Sequence, residues 1–307
     1  MADEEGDCVV VVNPESGKKK SMPTIRTLAT EYEFSLAVSE NPGESVSLTR
    51  EAIEAGATRI GACGGDGTVN EVVRGISETD AFKSVTLGVI PSGTGNNFAE
   101  NIGVKNIRHG FSLLADGETR RIDLGVAGEE LFVNSCICGL TADASEATSA
   151  GLKGRFGELA YVFKTIERMA DFKSIPLYVH AEDNGAVWEG NAMFVLIGNG
   201  RRFSARGSQQ ANAEDGLFDV TIIEGVSTGS FVRETATRRL LGGEVSNIHQ
   251  LSVSSLSVEV RREEPVSFSF DGEIASFKRL SCRVRPQTLA VRVGEVYKPV
   301  PPEPKGV

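Results

Sequence analysis

A glycine-rich segment containing one acid is the pattern in this sequence best suited to chemistry. Residues 61–76 read GACGGDGTVNEVVRGI, in which a strand pattern ends in glycines and a helix pattern follows. Glycines bring backbone N–H groups close to an anion, and the helix adds the positive end of its dipole. Asp66 would repel a bare phosphate, so its natural partner is a divalent cation that bridges nucleotide oxygens. The segment predicts a nucleotide phosphate site; a glycine-rich turn with a capping Asp or Thr is the alternative.

Two further turns have the same character. Residues 85–103, VTLGVIPSGTGNNFAENIG, run from a strand pattern into glycines and then a short helix containing Asn96 and Asn97. Residues 9–20, VVVVNPESGKKK, place an Asn-Pro turn after the first strand pattern. Successive βα turns of a parallel sheet open on the same edge, so we expect these glycine-rich turns to face one another. The common nucleotide signatures GxxxxGK[ST] and GxGxxG do not occur.

The elements that must position these turns change character along the chain. Up to about Asp123, short apolar strand patterns alternate with helix patterns, which predicts a buried parallel sheet in an α/β fold. Beyond Asp123, strand patterns such as ELFVNSCICGL at 130–140 follow one another without regular helices, which predicts an antiparallel β domain. Two helical patterns, near 156–172 and 229–241, interrupt that domain.

Composition narrows the class of protein. A chain of 307 residues with 40% hydrophobic composition is long enough for two domains. Its formal net charge of -10 argues against nucleic acid as a partner. The five cysteines are odd in number and lie in apolar strand patterns, so we expect them to be reduced and structural. The sequence has no apolar run of membrane-spanning length and no signal-peptide pattern at its start, and a cytoplasmic location is expected.

Ordered motifs connect these segments to a known family. NPESG at 13–17, GGDGTVNEV at 64–72 and PSGTGNNFA at 91–99 are followed by DGLFD at 215–219 and DGE at 271–273. In this order and spacing they resemble the diacylglycerol kinase catalytic domain, which is shared with sphingosine kinases and with bacterial and archaeal lipid kinases. The resemblance covers nearly the whole chain.

The resemblance implies a fold and an activity. The expected fold is a Rossmann-like parallel-sheet nucleotide-binding domain at 7–123, completed by 287–300, and a lipid-substrate β-sandwich at 124–286. Residues 1–6 and 301–307 would be flexible, and the active site would lie in the cleft between the domains. The activity would be transfer of the γ-phosphate of ATP, with Mg²⁺, to a lipid hydroxyl. Nucleotide and lipid are the implied partners, with transient peripheral contact at the inner face of the membrane, and a homodimer is left open.

The resemblance also implies roles for individual residues. Glu273 would be the general base that accepts the proton of the attacking alcohol, and Asp66 would organise the catalytic Mg²⁺. A structural cation would be held by the Asp215 side chain and the main-chain carbonyls of Asn212 and Leu217; a simple turn is the alternative there. The residues implied to contact the nucleotide are Asn13, Pro14, Ser16, Gly17, Ser39, Gly65, Asp66, Gly67, Thr68, Asn70, Glu71 and Thr94. An Asp-Gly pair is also a strong hairpin-turn signal, so Asp271 and Gly272 could present Glu273 from a turn.

The sequence departs from the family pattern in the second glycine-rich turn. Many members read NDFAR, whereas here Asn97 replaces the acid and Glu100 the base. An amide keeps hydrogen bonds but supplies no carboxylate charge, and Glu100 would repel a phosphate that an arginine attracts. Membrane contact could involve the apolar stripe of Phe156, Leu159, Phe163 and Ile166, which is more typical of interdomain packing. Arg201, Arg202 and Arg206 could receive a headgroup or be solvated.

Two other functions remain open from the sequence. An NAD kinase also uses a GGDGT loop on a related fold, although NPESG, GTGNNFA and the late DGE argue against it. A catalytically inactive regulator that binds lipid or nucleotide is the second, because Asn97 and Glu100 could reflect lost turnover. Asp66 and Glu273 argue against that reading. The acceptor lipid and the donor nucleotide cannot be chosen from these residues.

Overall fold

The chain divides into two units, one of Met1–Leu124 with Arg285–Pro299 and one of Gly125–Val284 with Val300–Val307. The structure, a computed structural model, describes residues 8–16, 21–139, 174–202, 210–225 and 247–300. Gly17, Arg206 and the helical patterns near 156–172 and 229–241 lie outside these residues, as do the predicted flexible ends. No helix in the described part of the chain is long and apolar enough to cross a membrane.

The first unit alternates strands and helices. Its elements are β1 (Cys8–Val12), α1 (Met22–Glu31), β2 (Ser35–Val38), α2 (Glu44–Glu54), β3 (Arg59–Gly64), α3 (Asp66–Glu78), β4 (Thr86–Pro91), α4 (Asn97–Asn101) and α5 (Ile107–Asp116). Strands β2, β1, β3 and β4 lie side by side in that order and are parallel, and the end of β15 (Arg279–Val293) joins β4 in parallel. The predicted α/β fold with a parallel sheet is confirmed.

Burial explains why these strands are continuous apolar runs. Val10, Val11 and Val12 in β1 are fully buried, as expected for a strand covered on both faces. Helix α3 packs Val69, Val72, Val73 and Ile76 inward, at helical spacing. The core therefore fixes the strand ends from which the glycine-rich turns emerge.

Helix α5 is absent from the sequence-based expectations. Its first turn contains Gly110, a weak helix former, which obscures the helical pattern. The glycine is needed because a Cβ at this position would lie 2.6 Å from the carbonyl oxygen of Val89. The side chain of Asn106 caps the helix by accepting a hydrogen bond from His109 N at 3.0 Å. Tertiary packing of Phe111 and Leu114, rather than local propensity, stabilises this helix.

The second unit is built from antiparallel strands. They are β6 (Glu130–Phe132), β7 (Ser135–Cys138), β8 (Ile175–Ala181), β9 (Val187–Gly198), β10 (Phe218–Glu224), β11 (Ile248–Val253), β12 (Ser255–Val260), β13 (Val266–Phe270) and β14 (Glu273–Phe277). The order β14-β13-β7-β9-β8-β12 continues to the first part of β15, while β10 pairs with β9 and β11. Strand β5 (Glu118–Ala127) pairs with β6 near its end.

One core serves this second unit. Phe132, Phe218, Phe268 and Phe270 lie in it together with buried valines and leucines of β8, β10 and β12. The predicted antiparallel β domain is confirmed. The pattern at 130–140, expected as one strand, forms two strands because the chain breaks at Val133 and Asn134 to contact other segments.

Candidate functional site

The first glycine-rich turn joins β3 to α3 as predicted. Gly65 precedes the helix with an extended backbone (φ -96°, ψ -170°), and Asp66 is the first helical residue. The turn therefore presents backbone N–H groups at the positive end of a 13-residue helix.

The second turn packs directly on the first. The N–H groups of Ser92 and Gly93 both donate to the carbonyl oxygen of Gly64 at 3.1 Å, and Asp66 N donates to Gly95 O at 3.2 Å. A Cβ built on Gly93 would lie 2.4 Å from Gly65 Cα, so the two backbones touch where side chains are absent. The predicted facing of these two turns is confirmed.

Gly93→Ala is expected to separate the two turns. The new methyl group would overlap Gly65 backbone atoms at 2.4 and 2.7 Å, and overpacking of this kind costs about 1–3 kcal/mol. We expect a lower melting temperature and weaker nucleotide binding by titration calorimetry. Gly67→Ala is the matched stability control, because a Cβ there meets nothing within 4 Å. Equal stability of the two variants would contradict the contact.

The Asp66 carboxylate links the two turns. Its Oδ2 accepts hydrogen bonds from Asn97 N at 3.1 Å and Asn97 Nδ2 at 2.9 Å, and its Oδ1 accepts from Phe98 N at 2.9 Å. Asn97 and Phe98 begin helix α4, so Asp66 caps that helix from a distant part of the chain. The sequence did not predict this contact, although Asn97 was singled out.

These contacts limit how Asp66 could meet a metal. A carboxylate offers about four lone-pair positions, and three are used by N–H donors. Much of the carboxylate is therefore occupied by contacts within the protein. Asp66 could meet Mg²⁺ bound to nucleotide phosphates as one contact among several, and these residues do not fit a cation held by protein carboxylates alone. Among the described residues, no group of three or more His, Cys, Asp or Glu side chains could hold a metal.

Other predicted nucleotide contacts among the described residues lie at the same edge of the sheet. Asn13 follows β1, Ser39 follows β2 and Thr94 lies in the turn after β4, and these strands belong to one parallel sheet in which β3 lies between β1 and β4. The edge is held by backbone bonds from Asn13 N to Cys63 O (3.0 Å) and from Ser39 N to Val12 O (2.9 Å). The structure therefore brings these residues to one side of the sheet.

The turn after β1 is organised by its own side chains. Asn13 Oδ1 accepts from Glu15 N at 3.0 Å, and Ser16 Oγ donates to Asn13 O at 2.8 Å. A small pocket beside it is lined by Asn13, Pro14, Ser16 and, from the turn after β4, Ser92. The pocket is also lined by Val12, Ser21, Met22 and Ile25, so it is a small recess of mixed polarity next to the second glycine-rich turn.

Ser39 is buried, and its hydroxyl donates to Val12 O at 3.2 Å. The turn that follows is held by Glu44, whose Oε2 accepts from Glu40 N at 2.6 Å and Asn41 N at 2.9 Å. These backbone hydrogen bonds lower the pKa of the Glu44 carboxyl. Ser39 is thus fixed at the sheet edge by its neighbours.

Three side-chain oxygens near the turns are buried without a hydrogen-bond partner in the described part of the chain. They are Thr68 Oγ1, Glu71 Oε2 and Asn96 Oδ1. Asn70, between them in sequence, is 2% exposed. Buried polar atoms normally find partners, so these oxygens are compatible with a polar ligand near the turns.

The thiol of Cys63 lies beside these turns without contributing reactivity. Its sulfur is 3.7 Å from Ser92 Oγ, and desolvation by burial raises its pKa to about 12. All five cysteines are buried and free, as predicted, so they are inert core residues.

Glu273 lies in the second unit, at the start of β14. The preceding Asp271 and Gly272 have positive φ values of 50° and 112° and connect β13 to β14, which confirms the predicted hairpin turn. The Asp271 carboxylate accepts hydrogen bonds from the backbone N–H groups of Val133, Asn134 and Ser135. Glu273 itself is half-buried.

The DGLFD segment forms a turn before β10. Asn212 Oδ1 accepts from Glu214 N at 3.1 Å, and Asp215 Oδ1 accepts from Leu217 N at 3.0 Å. Desolvation raises the pKa of the Asp215 carboxyl, Asp219 adds to the effect, and the Leu217 N–H opposes it. The metal role of Asn212, Asp215 and Leu217 stays a prediction.

Comparisons with known proteins agree with this arrangement. The model of the diacylglycerol kinase catalytic domain matches residues 7–127, and that of the YegS C-terminal NAD kinase beta sandwich-like domain matches residues 134–293. A "Diacylglycerol kinase" of Bacillus subtilis (strain 168) is 29% identical over 86% of this chain and 88% of its own length. A "Probable lipid kinase YegS-like" of Pseudomonas fluorescens is 31% identical over 87% and 88%, respectively. A crystal structure of a putative diacylglycerol kinase from Bacillus anthracis str. Sterne, 21% identical, covers 95% of the chain with a TM-score of 0.75 and shows the same fold.

The chain thus combines an α/β unit with two paired glycine-rich turns and a unit that matches a β-sandwich domain of kinases. The chain belongs to the diacylglycerol kinase catalytic domain family and is a lipid kinase. The predicted family, fold class and enzyme class are thereby confirmed, and a kinase of this family takes its phosphoryl group from a nucleotide.

Proposed function

We propose that this lipid kinase transfers the γ-phosphate of ATP to the hydroxyl of a diacylglycerol-like lipid. The observation that carries the proposal is the pair of glycine-rich turns joined by Asp66, beside which buried oxygens lack partners in the described part of the chain. The name of the Bacillus subtilis relative supports a glycerol lipid as acceptor. Asn13, Pro14, Ser16, Gly17, Ser39, Thr94 and residues 65–71 would contact the nucleotide.

The proposed reaction needs only one proton acceptor. The lipid oxygen attacks the γ-phosphorus, its proton passes to the Glu273 carboxylate, and the bond to the β,γ-bridging oxygen breaks to release ADP. Backbone N–H groups of the two turns stabilise charge on the phosphates. Mg²⁺, when bound, would neutralise phosphate charge, and Asp66 would help to orient it. A second Mg²⁺ at Asp215, Asn212 and Leu217 would be structural.

A lipid acceptor also determines where in the cell the reaction takes place. We propose that it is cytoplasmic and contacts the inner membrane face transiently, since its acceptor resides in a bilayer. A homodimer is compatible with this arrangement.

Phosphate transfer from labelled ATP is the direct test. The protein, with Mg²⁺, is mixed with micelles carrying diacylglycerol, an ether-linked glycerol lipid, a sphingoid base or a polyprenol, and NAD serves as a parallel acceptor. NAD is included because the matched second domain is described as NAD kinase-like. Label in diacylglycerol is the expected result. Label in NAD alone would reject the lipid proposal, and no label in any acceptor would favour an inactive regulator.

Asn97→Asp tests whether the Asn97 side-chain amide stabilises the negative charge of the Asp66 carboxylate. The wild-type amide donates to Asp66 Oδ2 at 2.9 Å, so an acid at 97 would put two carboxylates in contact. In EDTA, we expect Asn97→Asp to lower the free energy of unfolding by about 1–3 kcal/mol. Mg²⁺ should restore more than half of this loss by bridging the carboxylates at positions 66 and 97. The loss in Asn97→Ala should not respond to Mg²⁺. Melting temperatures with and without Mg²⁺ measure both; identical responses of the two variants would contradict the direct contact.

A further inference from the structure

The Asp271 side chain makes contacts that a hairpin turn does not need. Its carboxylate accepts from three consecutive backbone N–H groups, those of Val133 (2.6 Å), Asn134 (3.0 Å) and Ser135 (2.8 Å). Its own N–H donates to Ser135 O at 3.1 Å. A turn with positive φ at this residue could equally use Asn or Gly. The carboxylate therefore serves a second purpose, which is to tie the tip of the hairpin to residues 133–135.

Residues 133–135 form a firm anchor for that tie. Val133, Asn134 and Ser135 are 0%, 2% and 5% exposed. From the other side they are held by the end of β9, where Asn199 N donates to Asn134 O at 2.8 Å and Gly200 N to Val133 O at 3.0 Å. The side chain of Asn199 adds a bond from Nδ2 to Val133 O at 3.0 Å. The segment is thus immobilised by a buried polar network.

The strand that carries Glu273 lies at one end of the strand order of the sheet. Among the described strands, β14 pairs with β13 alone. Its residues alternate between half-buried and exposed, and Ile274, directly after Glu273, is 44% exposed. Anchoring at Asp271, two residues before Glu273, therefore restrains the backbone from which the Glu273 side chain extends.

We propose that Asp271 is a positioning residue: by binding the backbone of residues 133–135 it holds Glu273 in the geometry needed to accept the lipid proton. The inference rests on the proposed role of Glu273. Hydrogen bonds to an ionised carboxylate are about twice as strong as neutral ones, so an amide cannot replace this contact. Asn at 271 would offer one acceptor oxygen and turn its NH₂ group toward N–H donors. Glu273 would then shift, and misplacement of about 1 Å can cost about 10²-fold in rate.

The test combines Asp271→Asn with Glu273→Gln in a double-mutant cycle on the full chain, using the lipid kinase assay. Asn keeps the left-handed turn conformation, so the backbone stays and the three-fold acceptor is lost. We expect kcat to fall about 10- to 100-fold with an unchanged KM for ATP. In the Glu273→Gln background the same substitution should cause no further loss, because Asp271 acts through Glu273. An additional loss in the double variant would overturn the proposal, and so would wild-type kcat in Asp271→Asn or Asp271→Gly.

A control separates this effect from general destabilisation. Asp183 lies in another hairpin of the same unit, and its carboxylate accepts from Ser254 N at 2.6 Å and Ser254 Oγ at 3.0 Å. Asp183→Asn should lose comparable stability and keep its kcat. Hydrogen exchange gives a readout independent of activity: the amides of residues 133–135 should exchange faster in Asp271→Asn. Unchanged exchange would overturn the tie itself, whereas full activity of Glu273→Gln would instead reject the proposed role of Glu273.

Discussion

Glu273→Gln is expected to lower kcat by about 10²- to 10⁴-fold while leaving the fold intact, because general base catalysis contributes that much to proton transfer. Gln has the same shape and can still accept a hydrogen bond, but its amide cannot take up a proton. Glu273 begins β14 and is half-buried, so the substitution removes charge without opening a cavity. The change should appear in kcat with little effect on the KM for ATP, since nucleotide binding is assigned to residues of the first unit.

The matched control is Glu264→Gln, which removes an exposed acid that precedes β13 in the same unit. It should keep the wild-type rate and melting temperature. Steady-state kinetics with the preferred lipid, together with circular dichroism, measure both variants. Activity of Glu273→Gln within about threefold of the wild type would show that another group accepts the proton, and the assignment would be wrong.

The parts of the fold that could be predicted are those determined by residues adjacent in sequence. The apolar run of β3 ends in glycines and an acid at the start of α3, so strand, turn and helix all follow from adjacent residues. The hairpin at Asp271 and Gly272 is equally local, because few residue pairs adopt two successive positive φ values. Parallel strand order then places the turns after β1, β3 and β4 on one edge.

The parts that could not be predicted depend on contacts between distant segments. Asp66 meets Asn97 across 31 residues, and Asp271 meets Ser135 across 136. In sequence each acid is consistent with a local cap or turn, and nothing nearby reveals a second partner. Helix α5 was missed for a related reason, since Gly110 weakens the local pattern and packing against β4 supplies the stability. Roles of acids in this chain are therefore set by tertiary structure.

Asp66 begins helix α3 and also contacts the distant second turn, so its substitution tests both roles of the carboxylate. Its position at the start of α3 presents the carboxylate to the second turn, where it caps α4 through Asn97 N and Phe98 N. The same carboxylate is proposed to help orient the cation of the nucleotide. Loss of the side chain should therefore affect both the shape of the phosphate site and its charge.

Asp66→Ala is expected to lower kcat/KM by about 10²- to 10³-fold, in the range found when one preorganised electrostatic contact is lost. It should also reduce the free energy of unfolding by about 1–3 kcal/mol, because the N–H groups of Asn97 and Phe98 lose their acceptor. Hydrogen exchange at these two amides should become faster. Asp80→Asn, an exposed acid with positive φ in the same unit, is the control that should change neither quantity.

The two effects of Asp66→Ala can be separated because they respond to different additions. If Asp66 also orients Mg²⁺, the variant should need a higher Mg²⁺ concentration for half-maximal activity, whereas a purely structural cap would lower the melting temperature at unchanged Mg²⁺ dependence. Titration of activity with Mg²⁺ at saturating ATP distinguishes them. A destabilised variant with wild-type kcat and wild-type Mg²⁺ dependence would limit the role of Asp66 to capping α4. The negative charge that meets the nucleotide's cation would then have to come from another oxygen of the site. Glu71 Oε2 is a candidate, because it is buried and has no hydrogen-bond partner in the described part of the chain.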